Sequence, residues 1–218
     1  MKKSIIVLSL LVIATLSSFA QNEKYISIME TTIPKLDIDK IEDIQNAANT
    51  FERIASMEST EWLPNYYASY AYMRMAVYYM SESDPEKMVA SIEKAQGFLD
   101  KAKAIESENS EIYTLQGYIY QGHIWESPMI NGALYSGKCY EQLEKAIALN
   151  PDNPRPHYIK GQNLFYTPSF FGGGPENAKP SLESADEKYA TFKPASSIHP
   201  TWGARQNKHL LDKAVASK

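Results

Sequence analysis

Cysteine is almost absent from this sequence. Cys139 is the single cysteine among the 218 residues, so no intramolecular disulfide can form. A packed apolar core must therefore hold the fold together. Cys139 precedes Tyr140 and Leu143 on an apolar helical pattern, and a buried free cysteine behaves as a small hydrophobe. We expect Cys139 to fill the core; the alternatives are a reactive thiol and an intermolecular bridge.

A surplus of basic charge and the patterns of β-strands are also missing. The chain carries 22 basic and 26 acidic side chains, a formal net charge of −4. Because no basic excess is available to neutralise phosphates, the composition argues against a nucleic-acid-binding protein. The β-branched residues are scattered, and no hairpin dipeptide separates alternating apolar runs. The sequence therefore predicts a protein without a sheet.

No arrangement of residues indicates catalysis or metal binding. The four histidines, His123, His157, His199 and His209, do not share the local spacing of zinc ligands. Neither a Gly-x-Ser-x-Gly elbow nor a His-Glu-x-x-His motif is present. We expect no enzyme, no catalytic residue, no metal and no cofactor.

Long apolar runs are confined to the first twenty residues. Lys2 and Lys3 precede an apolar stretch from Ile5 to Leu16, and Ser18-Phe19-Ala20 supplies the small residues of a cleavage site. The stretch is about 12 residues long, whereas a membrane-spanning helix needs roughly 20. We therefore predict a cleaved signal peptide over residues 1–20 and a single exported domain over residues 21–218, in the periplasm or secreted, with no membrane span after cleavage.

Helical periodicity is dense in the remaining chain. Apolar residues recur every three or four positions, and capping patterns separate the runs. Ser83 is predicted to open one helix through a capping box with Glu86. Pro180 should interrupt or kink a later helix that opens at Pro175. The predicted helices are Ile38–Ile54, Trp62–Met80, one after Ser83 to Ile105, Ser110–Trp125, Ala133–Leu149, one after Pro175, and Ala204–Ala216.

Internal repetition indicates how these helices are arranged. The run from Leu99 to Ile105 can be laid over Leu143 to Leu149, and at the same offset Gly117 falls on Gly161. Ala71 occupies the corresponding place one unit earlier. Each unit is then a pair of antiparallel helices with a small residue at their close crossing, although a simple helical bundle stays as an alternative.

The run Tyr140 to Pro154 resembles the second helix and closing turn of the tetratricopeptide repeat (TPR), and His157-Tyr158 with Gly161 resembles the start of the next repeat. The resemblance implies an all-α, TPR-like helical-hairpin solenoid of about three repeats. Its capping helices would be Asp37 to Ser56 and Ala204 to Ala216. The period of 44 to 46 residues is longer than the 34 of the family, which indicates enlarged loops.

The segment from Thr167 to Pro175 holds two phenylalanines and three consecutive glycines. It lacks the lysine and the preceding strand of a phosphate-binding loop, so we interpret it as an ordered turn with Phe170 and Phe171 against the core. The segment is similar to loops of exported TPR-like proteins associated with TRAP-type substrate-binding transporters.

Tyrosine is abundant, with 15 copies, and these cluster on the first helix of each predicted pair. In TPR-like folds the first helices line the concave face. The resemblance therefore implies these groove candidates: Tyr72, Met75, Tyr118, Gln121, Gln162 and Phe165. Trp125, Phe170 and Phe171 are candidates for the wall of a pocket. For each tyrosine the alternative is packing in the core.

Two functions remain open on these grounds. The first is a non-enzymatic exported scaffold that engages a peptide or protein partner of the cell envelope in an aromatic concave groove. The second is a periplasmic accessory of solute uptake that binds a small apolar or organic-acid ligand. A pocket of roughly 300–1,000 Å³ would favour the second function, and an open groove with exposed aromatic side chains the first.

Overall fold

The computed structural model describes residues 23–38 and 40–217; the predicted signal peptide lies outside the described residues. The described part is all-α, as predicted, and contains no strand. Residues 23–32 form α1, and a 3₁₀ turn follows at Ile33–Asp37. The other helices are α2 (Ile41–Met57), α3 (Trp62–Ser81), α4 (Pro85–Ile105), α5 (Ser110–Glu126), α6 (Pro128–Leu149), α7 (Pro154–Tyr166), α8 (Pro175–Thr191) and α9 (Ala204–Ala216).

Three helical hairpins make up the body of the protein. Their most extensive contacts are α3 with α4, α5 with α6, and α7 with α8. The first helices of the pairs also contact one another in the order α3, α5, α7, and α9 joins α7. Helix α2 covers α3 at one end, and α9 covers α8 at the other. One side of the array is thus built from α3, α5 and α7.

The paired helices cross closely at Gly117 and Gly161, as the predicted repeat requires. A Cβ atom at Gly117 would lie 2.7 Å from Leu143 Cδ2, and one at Gly161 would lie 2.6 Å from Leu182 Cδ2. Cys139 lies beside the first crossing, fully buried, and burial raises the pKa of its thiol to about 12. Its predicted place in the core is confirmed.

Helix α3 is buried around most of its circumference. Tyr66, Tyr67, Tyr70 and Tyr72 are all at most 3% exposed, although they point in different directions. The helix can bury them because α2, α4 and α5 contact it, and because the segment before α9 packs against it. A helix that is apolar all round belongs inside a protein.

Four local predictions are corrected. Asp84, not Ser83, caps α4: its Oδ1 accepts a hydrogen bond from the Lys87 amide at 3.1 Å. Ser83 has φ of 57°, so it belongs to the preceding turn. Helix α6 begins at Pro128 rather than Ala133, because proline suits the first helical turn. Helix α8 continues through Pro180, so the predicted interruption there is wrong, and the alternative, a kink, stays a prediction.

The loop after α7 provides the fourth correction. Phe170 and Phe171 are 91% and 61% exposed, so they do not pack on the core. The loop is closed by backbone hydrogen bonds, including that from Gly174 N to Leu164 O at 2.9 Å, and Gly172 has φ of +82°. These constraints hold the short 3₁₀ turn Ser169–Phe171 with both rings directed to solvent.

Among the described residues, no helix is both long enough and apolar enough to cross a membrane.

Candidate functional site

A cavity of about 480 Å³ lies where α3, α5, α7 and α9 meet. Its aromatic walls come from α3, α5, α7 and the turn before α9, whereas α9 contributes mainly polar side chains. The aromatic lining residues are Tyr70, Tyr118, Tyr158, Tyr166 and Trp202. The polar lining residues are Arg74, Gln162, Arg205, Gln206 and His209. We call this space the first cavity.

Helical spacing explains why these side chains meet. Tyr70 and Arg74 lie four residues apart on α3, and Tyr158 and Gln162 lie four residues apart on α7. Residues at this spacing share one face of a helix. Each first helix thus presents one stripe to the same side of the array.

Trp202 forms the centre of the aromatic cluster. Its ring stacks on Tyr70, with ring centroids 4.5 Å apart and planes 16° apart. The rings of Tyr118 and Tyr158 each lie 6.4 Å from it, the first near-parallel and the second edge-on. Such offset and edge contacts are the favoured aromatic geometries. Trp202 therefore connects three helices that are far apart in sequence.

A buried network of hydrogen bonds holds the indole ring of Trp202 in place. Its indole Nε1 donates a hydrogen bond to Tyr66 Oη at 2.9 Å, and Tyr66 Oη donates to Glu111 Oε2 at 3.4 Å. Glu111 also accepts from Arg155 Nε at 2.7 Å and from Asn153 Nδ2 at 2.9 Å. Arg155 is completely buried. A charged pair in the interior requires such partners, because an unpaired buried charge is very costly.

The backbone next to Trp202 is fixed as well. Tyr189 Oη donates a hydrogen bond to the Trp202 carbonyl at 3.0 Å. Gly203 has φ of +106°, and a Cβ atom there would lie 2.1 Å from Tyr189 Oη. Both the positive φ and the lack of space for a Cβ atom require glycine at position 203. The segment that carries Trp202 is therefore held in place by α8.

The first cavity is cationic. Arg74 and Arg205 line it, and no acidic side chain of the described chain does. Arg74 is hydrogen-bonded to Tyr70, and Arg205 donates to the Asp37 carbonyl at 3.1 Å. Guanidinium groups are planar forks that match carboxylates. The charge of this cavity favours an anionic ligand.

The buried phenols of Tyr70, Tyr118 and Tyr158 stay protonated near neutral pH. Burial raises the pKa of Tyr118 to about 12 and also raises the pKa of Tyr70 and Tyr158. Desolvation disfavours the charged phenolate. Gln162 Nε2 donates to Tyr158 Oη at 3.0 Å. These tyrosines therefore offer apolar rings and neutral hydroxyl groups.

A second cavity, of about 430 Å³, adjoins the first and lies nearer the C-terminal ends of α3, α5 and α7. The two cavities share Val77, Gln162 and Tyr166. The other side chains around the second cavity are mainly apolar: Met80, Ile124, Trp125 and Pro128, with Gln121, Asn163 and Thr167.

The predicted site residues fall into three groups. Tyr118 and Gln162 line the first cavity, and Gln121, Trp125 and Gln162 line the second. Phe170 and Phe171 line neither.

Tyr72, Met75 and Phe165, which were groove candidates in the sequence, line neither of the two cavities. Tyr72 faces α2 and α4 instead: its hydroxyl donates to Glu52 at 2.6 Å and its ring stacks on Phe98. Met75 is only 4% exposed, and the Phe165 ring packs edge-on against Tyr166. Tyr70 and Tyr72 point to opposite sides of α3, and the stripe with Tyr70 is the one that faces the cavity.

Sequence reasoning missed the residues that give the first cavity its character, above all Trp202, Arg74 and Arg205. The sequence did contain a signal for part of this lining. Helical spacing places Tyr70, Arg74 and Val77 on one face of α3, and it places Tyr158, Gln162 and Tyr166 on one face of α7. Nothing local indicates the contacts of Trp202, because Tyr66 is 136 residues away.

No protein-family model and no curated protein matches this chain. Among solved structures, it is similar to the HusA haemophore from Porphyromonas gingivalis, with 30% sequence identity and a TM-score of 0.76. The match covers 89% of this chain and 94% of that one. Fold and cavity define an all-α protein of stacked helical hairpins with an aromatic, cationic cavity. Within that class, the chain belongs to the family of the HusA haemophore.

Proposed function

We propose that this protein is an exported, non-enzymatic carrier of haem, or of a closely related tetrapyrrole with carboxylate groups, held in the first cavity. The observation that carries the proposal is the combination of buried aromatic rings with two arginines and no acidic side chain of the described chain. Membership of the haemophore's family supports the same ligand class.

The chemistry of haem matches each part of this lining. Haem is a flat conjugated ring, and Trp202 with Tyr118 offers aromatic surface for stacking. Its two propionates are carboxylates, for which Arg74 and Arg205 are suitable partners. The volume of about 480 Å³ is within the range of small-molecule sites, roughly 300–1,000 Å³.

His209 is the residue we assign to any contact with the iron. It lines the first cavity, and imidazole is a common axial ligand of haem iron. The phenols of Tyr118 and Tyr158 are poorer candidates, because burial raises their pKa and coordination as phenolate requires loss of the proton.

The two functions left open by the sequence can now be weighed. A cavity with cationic walls supports the small organic-acid ligand over a peptide partner, whose side chains would need a longer open groove. A protein partner in the cell envelope would then receive or deliver the ligand rather than occupy the first cavity.

Export and a TPR-like architecture are parts of the same proposal. The signal-peptide pattern of residues 1–20 supports export. The order of contacts among α3, α5 and α7 supports a TPR-like solenoid, whose first helices line the ligand-binding face.

Titration of the chain from Gln21 onward with ferric haem, followed by visible absorption, tests the proposal. We expect saturable binding of one haem in the first cavity. Tyr118→Ala should weaken binding by roughly tenfold, because stacking surface is lost. Tyr140→Ala is the control, since Tyr140 lies on α6 and does not line the first cavity. Absence of saturable binding, or equal loss in both variants, would overturn the proposal.

A further inference from the structure

The two cavities follow one another along the same helices. On α3, Arg74 lines the first cavity, Val77 lines both, and Met80 lines the second. Residues three positions apart are neighbours on a helix surface, so these side chains form one stripe. From Arg74 to Met80 the helix axis rises by about 9 Å, which is comparable with the width of a porphyrin ring.

Helices α5 and α7 show the same order. On α5, Tyr118 lines the first cavity and Trp125 the second. On α7, Tyr158 lines the first cavity, Tyr166 lines both, and Thr167 lines the second. All three helices therefore continue the lining of the first cavity into the second in the same direction.

Charge is confined to one end of this shared lining. Arg74 and Arg205 line the first cavity, whereas no charged side chain of residues 23–38 and 40–217 lines the second. Met80, Ile124 and Trp125 give the second cavity mainly apolar walls. A ligand that spans both cavities thus meets guanidinium groups at one end and apolar side chains at the other.

Haem has the same polarity across its ring. Its two propionates project from one edge, and vinyl and methyl groups occupy the opposite edge. The apolar edge gains free energy when the second cavity removes it from water. A carboxylate placed there would lose its hydration without gaining a cationic partner, which is costly.

From these observations we infer that the second cavity takes the apolar edge of a tetrapyrrole whose carboxylates bind Arg74 and Arg205 in the first cavity. The inference rests on the proposed function and adds an orientation and a ligand preference to it. The preferred ligands have carboxylates on one edge only. Met80, Ile124 and Trp125 are then residues that determine specificity.

Ferric coproporphyrin III tests this preference on the unaltered protein. It has a carboxylate on each of its four pyrrole rings, so every edge is charged. Attraction to the two arginines alone would make it bind as tightly as haem or more tightly. In titrations of the chain from Gln21 onward, followed by visible absorption, we expect haem to bind at least about tenfold more tightly.

Ferric mesoporphyrin is the matched control ligand, because ethyl groups replace the vinyl groups and the apolar edge stays uncharged. It should bind like haem. Equal or tighter binding of the coproporphyrin would show that the second edge stays in solvent and would overturn the inference. Binding of the mesoporphyrin as weak as that of the coproporphyrin would overturn it too, because charge would not be the cause.

A lysine in the second cavity should change the preference. Met80 is 43% exposed, so a lysine at this position keeps contact with solvent. Met80→Lys should improve the affinity for the coproporphyrin relative to haem by about tenfold. Met57→Lys adds the same charge at the exposed end of α2, lines neither cavity, and should leave the ratio unchanged. An unchanged ratio in Met80→Lys, or equal shifts in both variants, would contradict the inference.

The ligand comparison needs no substitution, so it decides the matter even if Met80→Lys fails to fold. It also separates this inference from the proposed function. Saturable binding of haem and the coproporphyrin with equal affinity refutes only the orientation. Absence of saturable binding of every tetrapyrrole refutes the carrier function and the orientation together.

Discussion

The indole Nε1 of Trp202 donates a hydrogen bond to the hydroxyl of Tyr66 at 2.9 Å, although the two residues lie 136 positions apart. Through this bond the turn before α9 is tied to α3 at the opposite end of the hairpin array. The same hydroxyl leads to Glu111 and from there to Arg155. The aromatic centre of the first cavity thus rests on a buried polar network.

Removing the Tyr66 hydroxyl tests this relationship. Tyr66→Phe keeps the ring but leaves Trp202 Nε1 without its acceptor, so the free energy of unfolding should fall by about 1–3 kcal/mol. Urea unfolding followed by tryptophan fluorescence measures the change. Tyr78→Phe, on the same helix but partly exposed, should cost less than about 0.5 kcal/mol. Equal effects of the two substitutions would contradict the network.

Removing only one partner of the buried ion pair between Arg155 and Glu111 should strongly lower the free energy of unfolding. Arg155→Met leaves the carboxylate buried without its main partner, and we expect a loss of about 3–5 kcal/mol in unfolding free energy. The double variant Arg155→Met with Glu111→Leu removes both charges and should be more stable than Arg155→Met alone. Thermal and urea unfolding of both variants give the comparison; a less stable double variant would refute it.

Two glycines should respond to alanine with opposite signs. A Cβ atom at Gly161 would lie 2.6 Å from Leu182 Cδ2 and 3.2 Å from its backbone nitrogen, so Gly161→Ala should destabilise the fold by about 1–3 kcal/mol. A Cβ atom at Gly97, inside α4, would meet nothing within 4 Å. Gly97→Ala should therefore stabilise the protein by about 0.5–1 kcal/mol. Shifts of the same sign in urea unfolding would contradict the close crossing.

Stability should fall as the pH drops below neutrality, in part through His157. Burial first, and then Lys188 and Lys160, lower the pKa of this imidazole, while Glu144 acts in the opposite direction. The unfolded chain therefore takes up a proton at higher pH than the folded chain. The contribution is fully present above the unfolded pKa, about 6.5, and is lost as the pH falls below it.

Urea unfolding at pH 7.5 and pH 5.0 checks this prediction. His157→Gln removes the imidazole, so the variant should lose less stability between the two pH values than the unaltered protein. An equal or larger loss in the variant would contradict the role of His157.

The arginines of the first cavity should govern the affinity for haem. Arg74→Gln or Arg205→Gln should each weaken binding by about tenfold, because a hydrogen-bonded carboxylate loses its charged partner. Added salt should weaken binding by the unaltered protein as well. Arg53→Gln is the control, since Arg53 is exposed on α2 and lines neither cavity. Unchanged affinity in both cavity variants would refute the role of the arginines.

The helices and their pairing could be predicted because their signals are local or periodic. Gly117 and Gly161 repeat at the offset of Leu143 relative to Leu99, and that pattern alone placed the close crossings. The cavity could be predicted only in part. Of the candidates named from the sequence, Tyr118, Gln121, Trp125 and Gln162 line the two cavities, whereas Tyr72 faces α2 and α4.

The remainder depends on contacts that no local pattern encodes. The position of Trp202 follows from Tyr66, Tyr70 and Tyr189, all distant in sequence, and from the conformation of Gly203. Phe170 is exposed because the backbone of its loop directs it outward, although its composition favours burial. Tertiary contacts decide both cases.

The most direct test of the central claim compares ferric haem with its dimethyl ester on the unaltered protein. The ester has the same ring and iron but no carboxylate charge. If the first cavity holds haem through aromatic stacking and two arginines, the free acid should bind at least about tenfold more tightly than the ester. Equal affinity for the two compounds, or binding of neither, would contradict the account.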